Sequence, residues 1–325
     1  MPTRLVIGVD IGGTKLAAGV VDDRLQIHQR LQRSMRGQDT PALLDTIASA
    51  VQELVNTTPG EIAAVGFGIP SLIDRRSGTS VLAVNLPLTD IRFGALMAER
   101  LDMPVFVDND GNLAALAEHR AGAGVGVDHM LLIGLGTGIA GGLILDGEVY
   151  RGWIGSGAEL GHMVIDINGP RCQGNCPNHG CFEAMASGTA LAREAQLIAS
   201  GQPGSALGRA LQEGRELDGP LVTELAHDGD LAAREVLELI GTRLGVALSN
   251  FVNIFNPELI IVGGGVMAAG EMLLEPARAE VRRRALPPSR DVVSIVAAEF
   301  GHEAGMVGAA ALALDGLAAK AGHES

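Results

Sequence analysis

Hydrophobic positions along the chain fall into two patterns. Short apolar runs with little alternation occupy Arg4 to Val9, Leu16 to Val21, Glu61 to Ile69, Pro104 to Val107, Met130 to Leu135, Ile139 to Leu145, Leu259 to Val262 and Asp291 to Ala298. Runs this short and this rich in branched residues predict strands buried on both faces. Between them, Thr40 to Val55, Arg92 to Leu101, Leu113 to His119, Ser187 to Ser200 and Asp230 to Phe255 carry apolar residues at helical spacing. Thr40-Pro41 and Ser187 supply start signals, and Asn56 to Gly60 supplies a stop. Gln202 to Gly219 is looser, and Arg282 to Arg284 reads as a solvated helix face. The alternation predicts an α/β chain. One plan occurs twice: a strand, a glycine turn and a returning strand, first around Asp10-Ile-Gly-Gly-Thr-Lys15 and again around Gly136-Thr137-Gly138. The duplication predicts two lobes, each offering a phosphate-binding turn to a cleft. Gly12 and Gly13 remove side chains where amides can point at phosphate, and Thr14 adds a hydroxyl. An ordinary glycine hairpin explains either turn taken singly.

At 325 residues the chain is long enough for two cores. No apolar run reaches the roughly 18 to 20 residues of a membrane span, and no cleavable leader is legible, so a soluble, cytoplasmic protein is expected. The formal charge of −14 and an aromatic content of 3% oppose nucleic acid and anionic membrane as partners. Glycine, at 45 residues, is about twice its usual ~7% share.

The chemistry concentrates in Glu159 to Glu183. All three cysteines, Cys172, Cys176 and Cys181, lie there with His162 and His179. Three soft sulfur donors and one imidazole make a tetrahedral structural zinc site, with His162 or His179 as the fourth ligand. Buried apolar cysteines or a disulfide are the alternatives. The flanking carboxylates Glu159 and Glu183 are not needed by a metal. A second polar cluster, Asp108-Asn109-Asp110-Gly111-Asn112, follows an apolar strand, where open α/β sheets place ligands; it also suits a helix cap. Ser71 and Asn85 precede or sit in turns, and Gly264 and Gly265 follow a strand. His119 and His129 lie outside any motif.

In order along the chain, these motifs resemble the ROK family of bacterial sugar kinases and sugar-responsive repressors. Glu159-Leu-Gly-His162 and the cysteine run Cys172-Gln-Gly-Asn-Cys176-Pro-Asn-His-Gly-Cys181-Phe-Glu183 resemble its ExGH and C-x-C-G-x-x-G-C-x-E signatures, with two extra residues between the first two cysteines. Asp10 to Thr14 is similar to its D-x-G-G-T motif, and Asp108 to Asn112 to E-N-D-A-N, with Asp108 and Gly111 in place of glutamate and alanine. Asn256-Pro257 through Gly265 and Ala304-Gly305 through Ala310 match its last two motifs. The resemblance implies a two-lobed, actin-like ATPase and sugar-kinase fold of ribonuclease H-like type with a structural zinc loop. Residues 1–112 plus 302–325 would form a small lobe, and residues 113–301 a large one.

The resemblance further implies glucose phosphorylation at the 6-hydroxyl, with Asp110 as general base. Ser71, Asn85, Asn109, Asp110, Glu159, His162 and Glu183 would hold the sugar. Asp10, Gly12, Gly13, Thr14, Lys15, Gly136, Thr137, Gly138, Gly264 and Gly265 would hold ATP with Mg²⁺. Zinc would take His162, Cys172, Cys176 and Cys181. A homodimer or homotetramer is expected. An N-acetylhexosamine, mannose or fructose kinase is the alternative, with Ser71 as the residue to watch. A non-catalytic sensor fits less well, because only nine residues precede Asp10 where repressors carry a DNA-binding segment.

Overall fold

The computed structural model describes residues 4–74, 76–83 and 86–323. It divides into two compact units: Met1–Gly126 with Gly142–Ala158 and Glu299–Ser325, and Val127–Gly141 with Glu159–Ala298.

In the first unit, β1 (Leu5–Ile11), β2 (Lys15–Asp22), β3 (Ile27–Ser34), β4 (Ile62–Ile69) and β7 (Val105–Asn109) form a sheet of order β3-β2-β1-β4-β7. The first three are antiparallel and β1, β4 and β7 run parallel. A separate hairpin, β5 (Ser71–Asp74) and β6 (Thr79–Ala83), follows β4. Parallel neighbours need crossovers, and α1 (Thr40–Thr57) and α2 (Phe93–Leu101) supply them. Asp39 caps α1 by accepting from Ala42 N at 3.0 Å, and Pro41 lies in the first turn, where its missing N–H costs nothing. Leu43, Ile47, Val51 and Leu54 of α1 then pack with Ile7, Val9, Leu16 and Phe67 in one core.

On α3 (Asp110–Ala121) lies α11 (Ala304–His323), which also packs against β1 and β4. Their approach is backbone to backbone: a Cβ on Gly66 would lie 1.8 Å from the Ala309 carbonyl oxygen, and one on Gly308 equally close to that of Leu113. Glycine is the residue that fits at both. The segment Gly301–Gly322 is long and apolar enough to cross a membrane by length and composition. Its buried Met306, Val307, Ala309, Ala310 and Ala313 identify it as a core helix of this unit.

The second sheet has the order β10-β9-β8-β11-β12, from β8 (Met130–Leu135), β9 (Ile139–Leu145), β10 (Glu148–Val149), β11 (Leu259–Gly263) and β12 (Ser294–Ala297); the chain passes between units within β9. Its strand order repeats that of the first sheet, extending the duplicated strand, turn and strand of the sequence to all five strands. Asp146 and Gly147 both have positive φ, the geometry of a tight hairpin between β9 and β10. The second unit adds α4 (Phe182–Ala186), α5 (Gly188–Gly201), α6 (Ala206–Gln212), α7 (Gly219–His227), α8 (Leu231–Phe255), α9 (Glu271–Arg284) and α10 (Ser289–Val292). Asp230 caps α8 through Ala233 N at 2.9 Å, and left-handed Asn256 ends it.

Differences from the sequence expectations have local causes. The loose stretch 202–219 contains α6 and leads into α7, each capped by a side chain, Ser205 and Asp218, but each too short to show a helical period. β3 is an edge strand with Leu31 as its one buried residue, so its sequence reads as polar. Compactness keeps α3 and Gly142–Ala158 with the first unit, rather than dividing the chain at Asn112. The packing of α3 on α11 is the reason.

Candidate active site

At the carboxyl edge of the first sheet, Asp10, Gly68 and Asp108 lie side by side in register on β1, β4 and β7. Beyond β7 the chain turns into α3. Asn109 is the N-cap, its Oδ1 accepting from Gly111 N at 2.9 Å and Asn112 N at 3.2 Å. Asp110 is the first helical residue, and its Oδ1 accepts from the same Gly111 N–H at 2.9 Å. Burial pushes the Asp110 carboxyl above the usual range, against the lowering effect of the Gly111 N–H and the Asn109 side chain. Burial, then the charge of neighbouring Asp110, pushes Asp10 up to about 7, with Lys15 opposing. A carboxylate whose ionisation is opposed both by burial and by a neighbouring carboxylate is a mark of a reactive centre. The Asp10 carboxylate also lies against Gly305 in the first turn of α11, where a Cβ would approach Cγ to 2.6 Å.

The hairpin turn at Gly12 closes with Gly12 N donating to Lys15 O at 2.9 Å, leaving Gly13, Thr14 and Lys15 exposed. Ser71 is buried, and its hydroxyl is 2.7 Å from that of Ser80; its carbonyl accepts from Asn109 Nδ2 at 3.3 Å. Ser71 therefore touches the cluster through its backbone. Asn85 lies outside the described residues.

In the second unit, His162, Cys172, Cys176 and Cys181 place one donor atom each within 4.8 Å of every other, so the cluster can hold a metal ion. His162 follows Glu159 on a single turn of 3-10 helix (Leu160–His162), which packs so closely on β9 that a Cβ on Gly161 would lie 2.7 Å from the Ile139 carbonyl oxygen. Its Nδ1 is 3.5 Å from Cys172 Sγ, and Cys176 and Cys181 sulfurs are 3.8 Å apart. The cysteines are free, with no disulfide among them, and His179 is exposed. Burial and the neighbouring sulfurs push the Cys172 thiol up, and burial does the same to Cys181.

The cysteine loop and the glycine turn of this unit are one structure. Glu183 Oε2 accepts from Ile139 N at 2.8 Å, and a Cβ on Gly138 would strike it at 2.4 Å. Gly188 N and Thr189 Oγ1 of α5 donate to the carbonyls of Gly136 and Thr137 at 2.8 and 2.9 Å. Gln173, in the lengthened cysteine spacing, donates to Ser187 Oγ at 3.1 Å and Thr137 O at 3.4 Å. Gly264 has positive φ and packs on the end of β8, where a Cβ would lie 2.4 Å from the Leu135 carbonyl oxygen; Gly265 is open.

Comparison with known families gives one match across almost the whole chain: the ROK family model aligns with residues 6–316. The chain belongs to the ROK family. Glucokinase from Thermotoga maritima is 34% identical over 96% of this chain and 98% of its own length. The crystal structure of a ROK family glucokinase from Streptomyces griseus, in complex with glucose and AMPPNP, superposes with a TM-score of 0.84 at 35% identity, covering 96% of this chain and 99% of that one. A ROK family transcriptional regulator superposes at 0.87, with 27% identity over 95% of this chain and 77% of the regulator. The two sheets of equal strand order are the actin-like architecture of these ROK structures.

Among ROK residues singled out in sequence, Asp10, Ser71, Asn109 and Asp110 come together in the first unit. Glu183, His162, the cysteines and Gly136–Gly138 come together in the second. Glu159 is exposed at the start of its turn. Three residues with clear structural roles carry no motif. Arg151 forms a buried ion pair with Asp108 at 2.5 Å. Glu118 is wholly buried in α3 and accepts three backbone N–H groups. Gln173 braces the glycine turn. A charged residue inside an apolar helical face is the one signal that marks Glu118 in advance; Arg151 and Gln173 offer none.

Proposed function

We propose that this chain is a hexose kinase that moves the γ-phosphoryl group of ATP to the 6-hydroxyl of glucose, with Asp110 as the general base. The observation that carries the reading is the polar carboxyl edge of the first sheet, where Asp110 follows the cap Asn109 and its charge acts on buried Asp10. Membership of the ROK family and full-length similarity to glucokinases support it. A carboxylate suffices as base, because phosphoryl transfer owes most of its rate to positioning and charge stabilisation. Its raised pKa improves it as a proton acceptor. Asn109, Glu159, His162 and Glu183 would hold ring hydroxyls, the carboxylates accepting and the amide doing both. Such a site rejects sugars that leave its polar groups unpaired. Amides of Gly12 to Thr14 and Gly136 to Gly138 would hold phosphates, with Mg²⁺ near Asp10 to neutralise their charge.

Zinc fits the cysteine cluster. A tetrahedral ion with Zn–S about 2.3 Å and Zn–N about 2.0 Å needs sulfurs about 3.8 Å apart and sulfur to nitrogen about 3.5 Å. Both separations are present, between Cys176 and Cys181 and between Cys172 and His162 Nδ1. The metal would order a loop that has little core of its own. With Nδ1 committed to the ion, Nε2 of His162 would face a sugar hydroxyl in one fixed tautomer.

The test is ATP-dependent phosphorylation of glucose, mannose, fructose, N-acetylglucosamine and N-acetylmannosamine, scored by ADP release and product identity, for the native chain and Asp110→Asn. Glucose is expected to be turned over fastest, and Asp110→Asn to lose at least about 100-fold in kcat while still binding sugar. Near-normal turnover by Asp110→Asn removes it as base. Sugar binding without turnover by the native chain would favour a sensor, in line with the similarity to the regulator.

A further inference from the structure

We propose that Arg151 is a positioning residue for phosphoryl transfer, acting through Asp108 on the first turn of α3. The proposal rests on the reading of Asp110 as the base. Asp108 is 4% exposed and the Arg151 side chain 11%, so both charges are largely withdrawn from water. Burying an ion pair costs several kcal/mol per ion before attraction repays it, and apolar residues of equal volume often serve stability as well or better. A pair kept in such a place is better explained by what it holds still.

What it holds is the corner between β7 and α3. Asp108 Oδ1 accepts from Asn109 N at 2.8 Å and from Asn112 Nδ2 at 3.0 Å, and Oδ2 accepts from Arg151 Nε. The first bond holds Asn109 in the extended conformation, φ −66° and ψ 144°, that a cap requires. Asn109 then receives the Gly111 and Asn112 N–H groups, and Asp110 shares the first of these. The direction of the Asp110 carboxylate is therefore set by a turn whose two ends, Asn109 and Asn112, both hang on Asp108. Asn112 is 1% exposed and its Oδ1 has no hydrogen-bond partner, so its bond to Asp108 is what fixes the side chain.

Arg151 fixes Asp108 in turn. Its Nη1 donates to Val149 O at 3.2 Å while Nε serves Asp108, so the guanidinium plane is anchored to the chain in two directions. A lysine carries the charge but only one compact donor head, without the planar fork. The position therefore demands arginine geometry as well as its charge.

The experiment compares Arg151→Gln and Arg151→Lys with the native chain and with Asp110→Asn. For each, kcat is measured per sugar-binding site, counted by equilibrium glucose binding, together with KM for glucose and for ATP and the thermal midpoint. Misplacing a reacting group by about 1 Å costs on the order of 100-fold. Arg151→Gln is expected to lose about 10- to 100-fold in kcat per binding site with both KM values within about two-fold, and Arg151→Lys to recover part of that loss. A purely structural role would lower the thermal midpoint and the number of binding sites but leave kcat per site unchanged in both variants, and that result overturns the proposal. Should Arg151→Gln fail to fold, Arg151→Lys, which keeps charge and most of the volume, decides the same question. Full activity in Asp110→Asn would sink the base reading and this proposal together. An inactive Asp110→Asn beside normal Arg151 variants would sink this proposal alone.

Discussion

Glu118 offers a stability prediction whose size follows from its bonds. Its Oε1 accepts from Glu299 N and Phe300 N, both at 2.9 Å, and its Oε2 from Ala123 N at 3.0 Å. These amides flank the points where the chain leaves the first unit, after Gly126, and re-enters it, at Glu299. Glu118→Gln changes little in volume but replaces one oxygen by an NH₂ group. Hydrogen bonds to a charged partner are worth roughly 1.5–3 kcal/mol each, about twice the neutral value. If the amide oxygen keeps Glu299 and Phe300, both bonds fall to neutral strength, losing about 1.5–3 kcal/mol between them. The NH₂ then faces the Ala123 N–H, donor against donor, and leaves it unsatisfied at a cost of about 1–3 kcal/mol. The sum is about 2.5–6 kcal/mol, a large part of the 5–15 kcal/mol that folded proteins usually hold. Urea unfolding reads the total, and amide hydrogen exchange reads its distribution. Ala123 is expected to lose protection by about 10- to 100-fold more than Glu299 and Phe300, since each 1.4 kcal/mol is tenfold. A loss below about 1 kcal/mol with all three amides still protected would refute the account, because a buried carboxylate with three N–H donors cannot be exchanged so cheaply for an amide.

Other consequences concern the second unit. Metal analysis of the purified chain is expected to find about one zinc per chain, and Cys181→Ser to lose it together with several degrees of thermal midpoint; a metal-free chain that melts unchanged would dismiss the brace. Gln173→Ala removes two donors from the glycine turn and its neighbour, each worth about 0.5–1.5 kcal/mol. It is expected to raise KM for ATP about three- to ten-fold with KM for glucose unmoved, measured by steady-state kinetics; an equal rise in both would place Gln173's effect on the whole loop rather than on the turn.

The strands were legible because strands covered on both faces show as unbroken apolar runs, and the repeated strand, glycine turn and strand pointed to a duplicated unit, although the strand order came only from the structure. The cysteine cluster was legible for a chemical reason: soft donors concentrated in ten residues have few other uses. Chemistry alone left its fourth member open, since His162 and His179 are equally good imidazoles; the family resemblance picked His162, and the fold brings Nδ1 of that residue to Cys172 while leaving His179 exposed. Ser71 shows a similar limit. Its place beside the site was readable, but its hydroxyl turns to Ser80 nine residues on, which no spacing rule foresees.

Arg151 and Glu118 mark where local reading ends. An arginine before a glycine and a glutamate near a helix end are, by composition, surface residues. What makes each one buried is a partner far along the chain: Asp108 is 43 residues from Arg151, and the Glu299 and Phe300 amides lie 181 and 182 residues from Glu118. A charge becomes tolerable in a core only after its partner arrives, so the sequence shows the expense and never the compensation. These two charges, both outside every motif, fix the corner that carries Asp110 and the chain ends that frame its helix. The motif residues supply the chemistry, and their alignment depends on pairs that only the folded chain brings together.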